Sequence, residues 1–239
     1  MKRAALVTFA LLLGCHRGSE PRRMLWAWER PEDLRFLDPA VAGVAYLAGT
    51  IHLERGETRV DPRRQPLELA EGAHVIGVVR IEAGRDELVE SQRERAVSVI
   101  LELTDRPAVR GIQVDFDVAL SQRAFYRQLL VDLRRRIPAG RGLSMTALAS
   151  WCIHDHWING LPVDEAVPMV FRMGADDRVV RQYLDSRRDF LSPLCKSSFG
   201  VAADEPWPRI PRGRRIWLFA PRAWTKESVG SALFALRKD

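Results

Sequence analysis

This chain lacks the features of several common classes of protein. Apart from residues 4–13, which are too few to cross a bilayer, no apolar run is long enough for a membrane helix. No internal repeat and no low-complexity segment is present, so a repeat array is excluded. No nucleic-acid motif accompanies the net charge of +6, and we expect no nucleic-acid partner. Three cysteines are too few for a disulfide-rich scaffold.

The amino terminus has the form of a sorting signal. A charged start, Met1-Lys2-Arg3, precedes the apolar residues 4–13, and the stretch ends in Leu12-Leu13-Gly14-Cys15. That ending resembles the bacterial lipobox, whose cysteine is lipidated and becomes the first residue of the mature chain. We therefore predict a signal peptide over residues 1–14 and a tether over residues 15–23 with lipidated Cys15. An ordinary secretory signal or a short membrane anchor is the alternative.

Lipidation would hold the chain on a membrane by its amino terminus. His16 follows the cysteine where the lipoprotein retention signal has aspartate, so an outer-membrane location in the cell envelope is expected for a Gram-negative source. Loss of Lys2 and Arg3 with the signal peptide lowers the net charge from +6 to +4. This basic character favours contact with anionic lipid or polysaccharide.

Cys152 and Cys195 form an even pair once Cys15 is assigned to lipid. In an oxidising compartment such a pair is a candidate disulfide, and two separate buried thiols are the alternative. His154 and His156 lie close to Cys152 in the sequence, but this context does not indicate a metal site, and we interpret both as loop residues. We expect neither a metal nor a cofactor.

Strand-like and helix-like runs alternate along the rest of the chain. The predicted strands cover residues 25–29, 41–51, 75–82, 111–117, 143–148, 166–171, 197–202 and 215–220. A helix is predicted to begin at Pro31, and others cover residues 87–104, 121–136, 176–190 and 225–236. Residues 52–70 are predicted to form a hairpin excursion. Eight strands, mostly separated by helices, indicate an α/β fold with a parallel sheet.

We predict one domain over residues 24–239, a compact (β/α)8 TIM-type barrel. The alternative is a doubly wound open sheet, which would usually have a glycine-rich phosphate-binding loop after its first strand. The segment Trp28-Glu29-Arg30-Pro31 follows that strand instead. The closed barrel is therefore the favoured architecture.

Residues 111–117, Gly-Ile-Gln-Val-Asp-Phe-Asp, carry the strongest indication of a functional site. Successive side chains on a strand point to opposite faces, so Gln113, Asp115 and Asp117 share one face. Burial of carboxylates is costly unless they are paired or hydrogen-bonded. Two aspartates on one face at the end of an apolar strand therefore predict a polar site at its carboxyl end.

Further polar and aromatic residues follow the carboxyl ends of other predicted strands, where a TIM-type barrel carries its functional site. They are Trp28, Glu29, Arg80, Glu82, Trp151, Arg172 and Trp224. The alternatives are a structural ion pair for Arg80 and Glu82, a core position for Trp28 and a structural capping position for Trp224.

This set of residues favours a carbohydrate ligand. Tryptophan faces pack on sugar rings, while acids and arginines hydrogen-bond hydroxyl groups. Paired carboxylates also serve glycoside hydrolysis, in which one acid protonates the leaving oxygen and a second group attacks or stabilises. We assign Asp117 as the candidate general acid, Asp115 as the group that orients the substrate or tunes that acid, and Glu82 as the alternative second carboxylate.

Candidate substrate-binding residues complete the predicted site. Trp28 and Trp151 would stack on sugar rings. The others in this group are Glu29, Arg80, Gln113, Arg172 and Trp224. The oligomeric state is left open.

Five segments resemble the bacterial family named domain of unknown function 3142. They are residues 28–34 (Trp-Glu-Arg-Pro-Glu-Asp-Leu), 79–82 (Val-Arg-Ile-Glu), 114–117 (Val-Asp-Phe-Asp), 146–151 (Thr-Ala-Leu-Ala-Ser-Trp) and 167–174 (Val-Pro-Met-Val-Phe-Arg-Met-Gly). The resemblance covers nearly the whole mature chain. Since the family's activity is unassigned, it implies membership and no mechanism.

Residues 110–117 are also similar, more remotely, to the strand-four signature of family 18 glycoside hydrolases, Asp-Gly-x-Asp-x-Asp-x-Glu. Gly111 and Asp115 match it, and Asp117 stands where that family has its catalytic glutamate. Met169-Val170-Phe171-Arg172 stands where strand six of the family reads Met-x-Tyr-Asp. The resemblance implies a glycan site on a barrel, with Asp117 as the acid.

Departures from that pattern put catalysis in question. Arg110 and Gln113 replace two aspartates, Phe171 lacks the tyrosine hydroxyl, and Arg172 reverses a charge. Asp117 is one methylene shorter than glutamate, and a misplacement of about 1 Å can cost roughly a hundredfold in rate. The sequence thus supports a lipid-anchored glycoside hydrolase-like barrel acting on an envelope or extracellular polysaccharide. The alternatives are a non-catalytic barrel that binds glycan or protein, and a structural envelope lipoprotein.

Overall fold

The computed structural model of the protein describes residues 20–236. The predicted signal peptide and Cys15 lie outside the described residues, as does most of the predicted tether over residues 15–23. Within residues 20–236, none of the helices has the length and apolar character needed to cross a membrane.

Eleven β-strands and five α-helices are present in the described residues. The strands are β1 (Arg23–Ala27), β2 (Glu32–Leu34), β3 (Gly43–Glu54), β4 (Glu57–Pro62), β5 (Leu67–Leu69), β6 (Val75–Ala83), β7 (Val109–Asp115), β8 (Gly142–Leu148), β9 (Glu165–Met169), β10 (Ser198–Ala202) and β11 (Arg215–Phe219). The helices are α1 (Glu90–Thr104), α2 (Arg123–Arg136), α3 (Ala149–Ile153), α4 (Asp177–Asp185) and α5 (Lys226–Ala235).

Eight of these strands close into a parallel barrel. The order is β1-β11-β10-β9-β8-β7-β6-β3, and β3 pairs again with β1. Every one of these neighbouring pairs is parallel. Helices follow β6, β7, β8, β9 and β11. The predicted TIM-type barrel is confirmed, and the doubly wound sheet is excluded because an open sheet has two unpaired edges.

The hairpin excursion predicted for residues 52–70 begins with β3 and β4. These strands pair antiparallel, with Glu54 opposite Glu57. The two residues between them, Arg55 and Gly56, have φ of 48° and 81°. Positive φ at both central residues is the geometry of the two-residue turn that matches strand twist. The hairpin therefore extends β3 beyond the barrel at the carboxyl end of the strands.

The segment after β1 is extended rather than helical, which corrects the helix predicted to begin at Pro31. β2 pairs in parallel with β5, and the Glu32 backbone N–H donates to the carbonyl of Pro66. The buried Glu32 carboxylate accepts hydrogen bonds from Arg30 Nε and from the Trp224 backbone N–H. A buried carboxylate requires such donors, and the extended chain brings both of them to it.

The barrel interior has an apolar side and a polar side. β1, β3 and β11 supply the apolar side, which includes Met24, Trp26 and Trp217. β7 to β10 supply the polar side, whose buried members are Gln113, Asp115, Ser144, Thr146, Glu165 and Ser198. Because side chains alternate along β7, Ile112 and Val114 face the helices while Gln113 and Asp115 face inward. The predicted same-face arrangement is thus observed for Gln113 and Asp115, whereas the strand ends at Asp115 and Asp117 follows it.

Candidate functional site

A cavity of about 530 Å³ opens at the carboxyl ends of the barrel strands. Its volume lies within the range of roughly 300–1,000 Å³ that is usual for small-molecule sites. It is lined by Trp28, Arg30, Arg80, Asp115, Asp117, Leu148, Ala149, Ser150, Met169, Phe171, Arg172, Met173, Asp176, Phe219, Ala220 and Pro221. The wall combines carboxylates, arginines and aromatic rings.

Asp115 lies at the base of this cavity, at the last position of β7, with its side chain 5% exposed. Its Oδ1 accepts a hydrogen bond of 2.7 Å from the Thr146 hydroxyl, and Arg80 Nη1 lies 3.3 Å from its Oδ2. Burial raises the pKa of Asp115, while Arg80 and the Thr146 hydrogen bond act to lower it. The nearby negative charge of Asp117 raises it further.

Asp117 lies two residues further on, at the mouth of the cavity. Its side chain reaches solvent, yet the protein atoms crowded around the carboxylate still desolvate it. This desolvation raises the pKa of Asp117, and the positive charge of Arg80 partly opposes the rise. A carboxyl group that is accessible and has a raised pKa is suited to general-acid catalysis.

Arg80 connects the two aspartates to a chain of charges outside the cavity. Its Nε donates to Glu82 Oε1 at 3.0 Å, and Glu82 Oε2 lies 3.2 Å from His52 Nδ1. His52 Nε2 lies 3.0 Å from Asp61 Oδ2 on β4. Glu82 therefore borders a separate cleft along the hairpin, and it does not line the cavity of Asp115 and Asp117.

Aromatic side chains form the wall across from the acids. Phe171 and Phe219 have ring centroids 4.6 Å apart, and Trp28 lies 6.4 Å from Phe219. Trp26 packs beneath them, with its ring 5.3 Å from Trp28 and 4.6 Å from Phe219. An apolar wall facing carboxylates can hold a ring-shaped ligand that has one apolar face and polar edges.

Arg172 lies at the rim with a left-handed backbone conformation, φ 48°. Its backbone N–H is within 3.2 Å and 3.3 Å of the two carboxylate oxygens of Glu205, and its Nη2 donates to Asp204 at 2.9 Å. An arginine rarely adopts positive φ unless its surroundings compensate the strain. These contacts to the loop after β10 provide that compensation and hold the guanidinium at the cavity.

Five of the predicted site residues come together in this cavity: Trp28, Arg80, Asp115, Asp117 and Arg172. The others do not line it: Glu29, Glu82, Gln113, Trp151 and Trp224. Glu29 instead accepts hydrogen bonds from the backbone N–H groups of Arg64 and Gln65, which turns it toward the hairpin side.

The other three residues outside the cavity are buried by packing. Gln113 lies one layer below Asp115 and donates to the Ser144 hydroxyl, and its Oε1 has no partner among the described residues. Trp151 packs edge-on against Trp157 at 5.0 Å. Trp224 is 3% exposed, and its Nε1 donates to the carbonyl of Trp26. The expected substrate contacts of these residues, and stacking by Trp151, do not occur at this cavity.

Several cavity residues were not predicted from the sequence. Arg30 donates to the carbonyls of Ala220 and Pro221, which fixes the loop after β11 against β1. Asp176 brings a third carboxylate to the wall from the turn before α4. Arg30 closely follows the end of β1, and that position is the signal that could have identified it, whereas Asp176 lies further along the loop after β9.

Cys152 and Cys195 are joined by a disulfide, with their Cα atoms 6.0 Å apart. The bond links α3 to the segment just before β10. Among residues 20–236, no three His, Cys, Asp or Glu side chains are arranged to hold a metal ion. His154 contacts the ring of Tyr183 edge-on, and His156 lies in the following turn.

The fold and the cavity define a TIM-type barrel protein with an acidic, aromatic-walled site at its carboxyl rim. The family model described as "Domain of unknown function (DUF3142)" matches residues 71–175. This stretch includes Arg80, Asp115 and Asp117. The match confirms the resemblance for four of the five segments, whereas the segment 28–34 lies outside the matched residues. A search of the curated proteins gave no match.

A comparison with solved structures supports the same fold. The crystal structure of the spore cortex-lytic enzyme SleL from Bacillus cereus is similar, with a TM-score of 0.50 and 20% sequence identity. The alignment covers 76% of this chain and 51% of the SleL chain, so this chain spans about half the length of SleL. At this identity the likeness shows the fold alone.

Proposed function

We propose that this protein is a lipid-anchored barrel of the cell envelope that binds and hydrolyses a polysaccharide. One observation carries the proposal: a single ligand-sized cavity joins Asp115 and Asp117 to the aromatic wall of Trp28, Phe171 and Phe219. Such a cavity presents an apolar platform and carboxyl groups to the same ligand, which is what a sugar ring requires.

Asp117 is the general acid in this proposal. It is open to the cavity, and its raised pKa keeps more of the carboxyl group protonated near neutral pH than in an ordinary aspartate. A protonated carboxyl can donate its proton to the glycosidic oxygen as the bond to the departing sugar breaks. Positioned general acids contribute roughly 10²–10⁴ in rate.

Asp115 and Arg80 prepare the site for positive charge on the sugar ring. Asp115 is held by Thr146 and Arg80, so its carboxylate is fixed before a substrate arrives. A fixed carboxylate beneath the sugar stabilises the oxocarbenium-like transition state or orients the group that attacks it. Asp176, on the same cavity wall, replaces Glu82 as the alternative second carboxylate.

The envelope location rests on the amino terminus. The Leu12-Leu13-Gly14-Cys15 motif supports lipidation of Cys15, and His16 supports the outer membrane as destination in a Gram-negative cell. SleL, which shares the barrel fold, is a spore cortex-lytic enzyme, and this supports a glycan-acting barrel rather than any particular location.

A purified-protein assay tests catalysis. The full chain and its Asp117→Asn variant are incubated with a panel of bacterial polysaccharides, and new reducing ends are measured. We expect cleavage by the wild type and a loss of at least about a hundredfold in the variant, with binding retained. Glu94→Gln makes the same carboxylate-to-amide change on the exposed face of α1 and should retain full activity.

A non-catalytic glycan-binding protein is the second candidate function. Two observations favour it: Phe171 presents a hydrocarbon ring to the cavity without a hydroxyl donor, and Arg172 is tied to Asp204 at the rim. Binding with no turnover by either wild type or Asp117→Asn would support this candidate against hydrolysis. Absence of both binding and turnover across the panel would count against a glycan site altogether.

A further inference from the structure

The two ends of the barrel differ in charge. Loops that follow the strands, at the cavity end, carry many exposed or half-exposed acids, among them Glu54, Asp86, Glu87, Asp117, Asp176, Asp204 and Glu205. Segments that lead into the strands, at the opposite end, are rich in basic residues: Arg22, Arg23, Arg110, Arg134, Arg135, Arg136, Arg141, Lys196, Arg212, Arg214 and Arg215. This second end is called the basic face below.

Four acids of the basic face are neutralised by arginines within it. Asp164 pairs with Arg134 at 2.9 Å, and Asp189 pairs with Arg214 at 2.5 Å. Arg215 contacts both Glu165 and Glu20. Asp38, Glu71, Glu102 and Asp105 add exposed negative charges near this end. The remaining basic side chains are therefore in clear excess.

Five exposed members of the basic face have no carboxylate within 4.0 Å among the described residues. They are Arg22, Arg110, Arg136, Lys196 and Arg212. Arg136 donates a hydrogen bond to the Ser98 hydroxyl, and the cavity lies at the other end. Unpaired guanidinium and ammonium groups on one face fit a partner that presents many negative charges on a surface.

The chain enters the barrel at this same end. Glu20, the first described residue, contacts Arg215 at the start of β11, and the Arg22 carbonyl accepts a hydrogen bond from the Ile216 N–H at 2.8 Å. Cys15 precedes Glu20 by five residues, which span at most about 17 Å when extended. An amino terminus held on a bilayer would therefore keep the basic face within about two Debye lengths of the lipid.

We propose that the basic face docks on anionic phospholipid headgroups and directs the cavity mouth away from the bilayer. The position of the membrane rests on the anchoring proposed above, whereas the charge argument does not. Guanidinium groups pair with phosphate oxygens in a bidentate manner, and an anionic leaflet attracts basic side chains near its surface. Acidic polysaccharide would match the charges, but it would not explain their place beside the chain's entry point.

Vesicle sedimentation of the full chain tests the proposal. The vesicles are phosphatidylcholine alone and an equimolar mixture of phosphatidylcholine and phosphatidylglycerol. Apolar residues 4–13 contribute equally to both, whereas Lys2 and Arg3 favour the anionic vesicles in every variant alike, so comparison of variants isolates the basic face. We expect the wild type to favour the anionic vesicles by at least about tenfold at low salt, with the preference falling as salt screens the charges.

Matched variants locate the effect on the molecule. Arg22→Glu/Arg110→Glu/Arg212→Glu reverses three charges of the basic face and should remove most of the preference for anionic vesicles. Arg85→Glu/Arg178→Glu/Lys226→Glu reverses three exposed, unpaired charges on the cavity side and should lower it much less. Circular dichroism confirms that both variants are folded.

Three results would overturn the proposal. One is equal partition of the wild type onto both vesicles, and another is equal loss in both triple variants. The third is loss of binding to polygalacturonate in the basic-face variant with no change on vesicles, which would assign the face to polysaccharide. Polysaccharide cleavage is measured separately with Asp117→Asn, so failure of the catalytic proposal leaves this test intact.

Discussion

The barrel interior holds two buried carboxylates with nearly the same neighbours. Asp115, at the carboxyl end of β7, accepts a hydrogen bond from the Thr146 hydroxyl and pairs with Arg80. Glu165, at the amino end of β9, accepts one from the Ser198 hydroxyl and pairs with Arg215 at 2.8 Å. Burial raises the pKa of both. Their pKa shifts therefore do not tell which of the two belongs to a functional site.

Asp115 and Glu165 differ in the size of the cavity that each borders and in the groups that line it. Asp115 borders a cavity of about 530 Å³ that contains Asp117 and an aromatic wall. Glu165 borders a cavity of about 210 Å³, below the usual range for ligands, and its arginine is also engaged by Glu20. The comparison shows that the same buried group of an acid, an arginine and a hydroxyl occurs twice in the barrel. Whether it forms a candidate functional site depends on the cavity and the carboxylates around it.

The largest expected difference between the two carboxylates is in activity. Asp115→Asn should lower polysaccharide cleavage by about a hundredfold or more, because the amide cannot stabilise developing positive charge as a carboxylate does. Glu165→Gln makes the same chemical change at the other end and should leave kcat within about twofold. The measurement is initial rate against substrate concentration for both variants. Equal losses would indicate that both carboxylates act only through the fold.

For stability the order should be reversed: a change at the Glu165 end of the barrel should cost more than a change at the cavity end. Glu165→Ala removes the partner of a mostly buried arginine and the acceptor of a buried hydroxyl, and we expect a loss of about 2–3 kcal/mol in the free energy of unfolding. Asp117→Ala, at the open mouth, should cost less than about 0.5 kcal/mol. Urea unfolding followed by tryptophan fluorescence measures both. A larger cost at Asp117 would mean that it is a structural residue.

The fold could be predicted because hydrophobic periodicity marks strands and helices locally. Eight strand-like runs separated by helices, with no phosphate-binding loop after the first, were sufficient for the barrel. The error at residues 31–34 has a long-range cause. Acids after a proline are typical of a helix start, but Glu32 is buried by Arg30 and by Trp224, which lies far away in sequence. No local pattern contains that contact.

The site could be predicted mainly for residues on a barrel strand or just after its end. Asp115 is the last residue of β7 and Asp117 lies two residues beyond it, and the structure brings both to the same cavity. Trp151 was expected at the rim because it follows β8, but the short α3 turns it against Trp157. Asp176 depends on the path of the loop after β9, which a single sequence does not specify. The paths of loops and the rotation of helices therefore limit how much of the site can be predicted from the sequence.

Arg80, which pairs with Asp115, and Arg215, which pairs with Glu165, should differ in their effect on the pH dependence of activity. Arg80 lowers the pKa of Asp117, so Arg80→Gln should raise it further. A higher pKa keeps the acid protonated to higher pH, and the alkaline limb of the kcat/KM profile should move upward. Arg215→Gln affects Glu165 and should leave the limb in place. A downward shift with Arg80→Gln would exclude Asp117 as the acid of the rate profile.

The smallest expected effect concerns two arginines with positive φ. Arg172, φ 48°, lies at the cavity, and Arg187, φ 64°, follows α4 outside it. Glycine relieves the backbone strain of either position but increases the entropy of the unfolded chain, so each change to glycine should alter unfolding by less than about 1 kcal/mol. The exposed ion pair lost with Arg172 adds little to that balance.

Ligand binding should distinguish these two glycine variants where stability does not. Arg172→Gly removes a guanidinium from the cavity rim and should raise KM several-fold with little change in kcat, because a rim contact binds substrate and transition state alike. Arg187→Gly supplies the matched control and should leave KM unchanged. An equal KM in both variants would show that Arg172 serves the loop after β10 through Asp204 and Glu205 rather than the ligand.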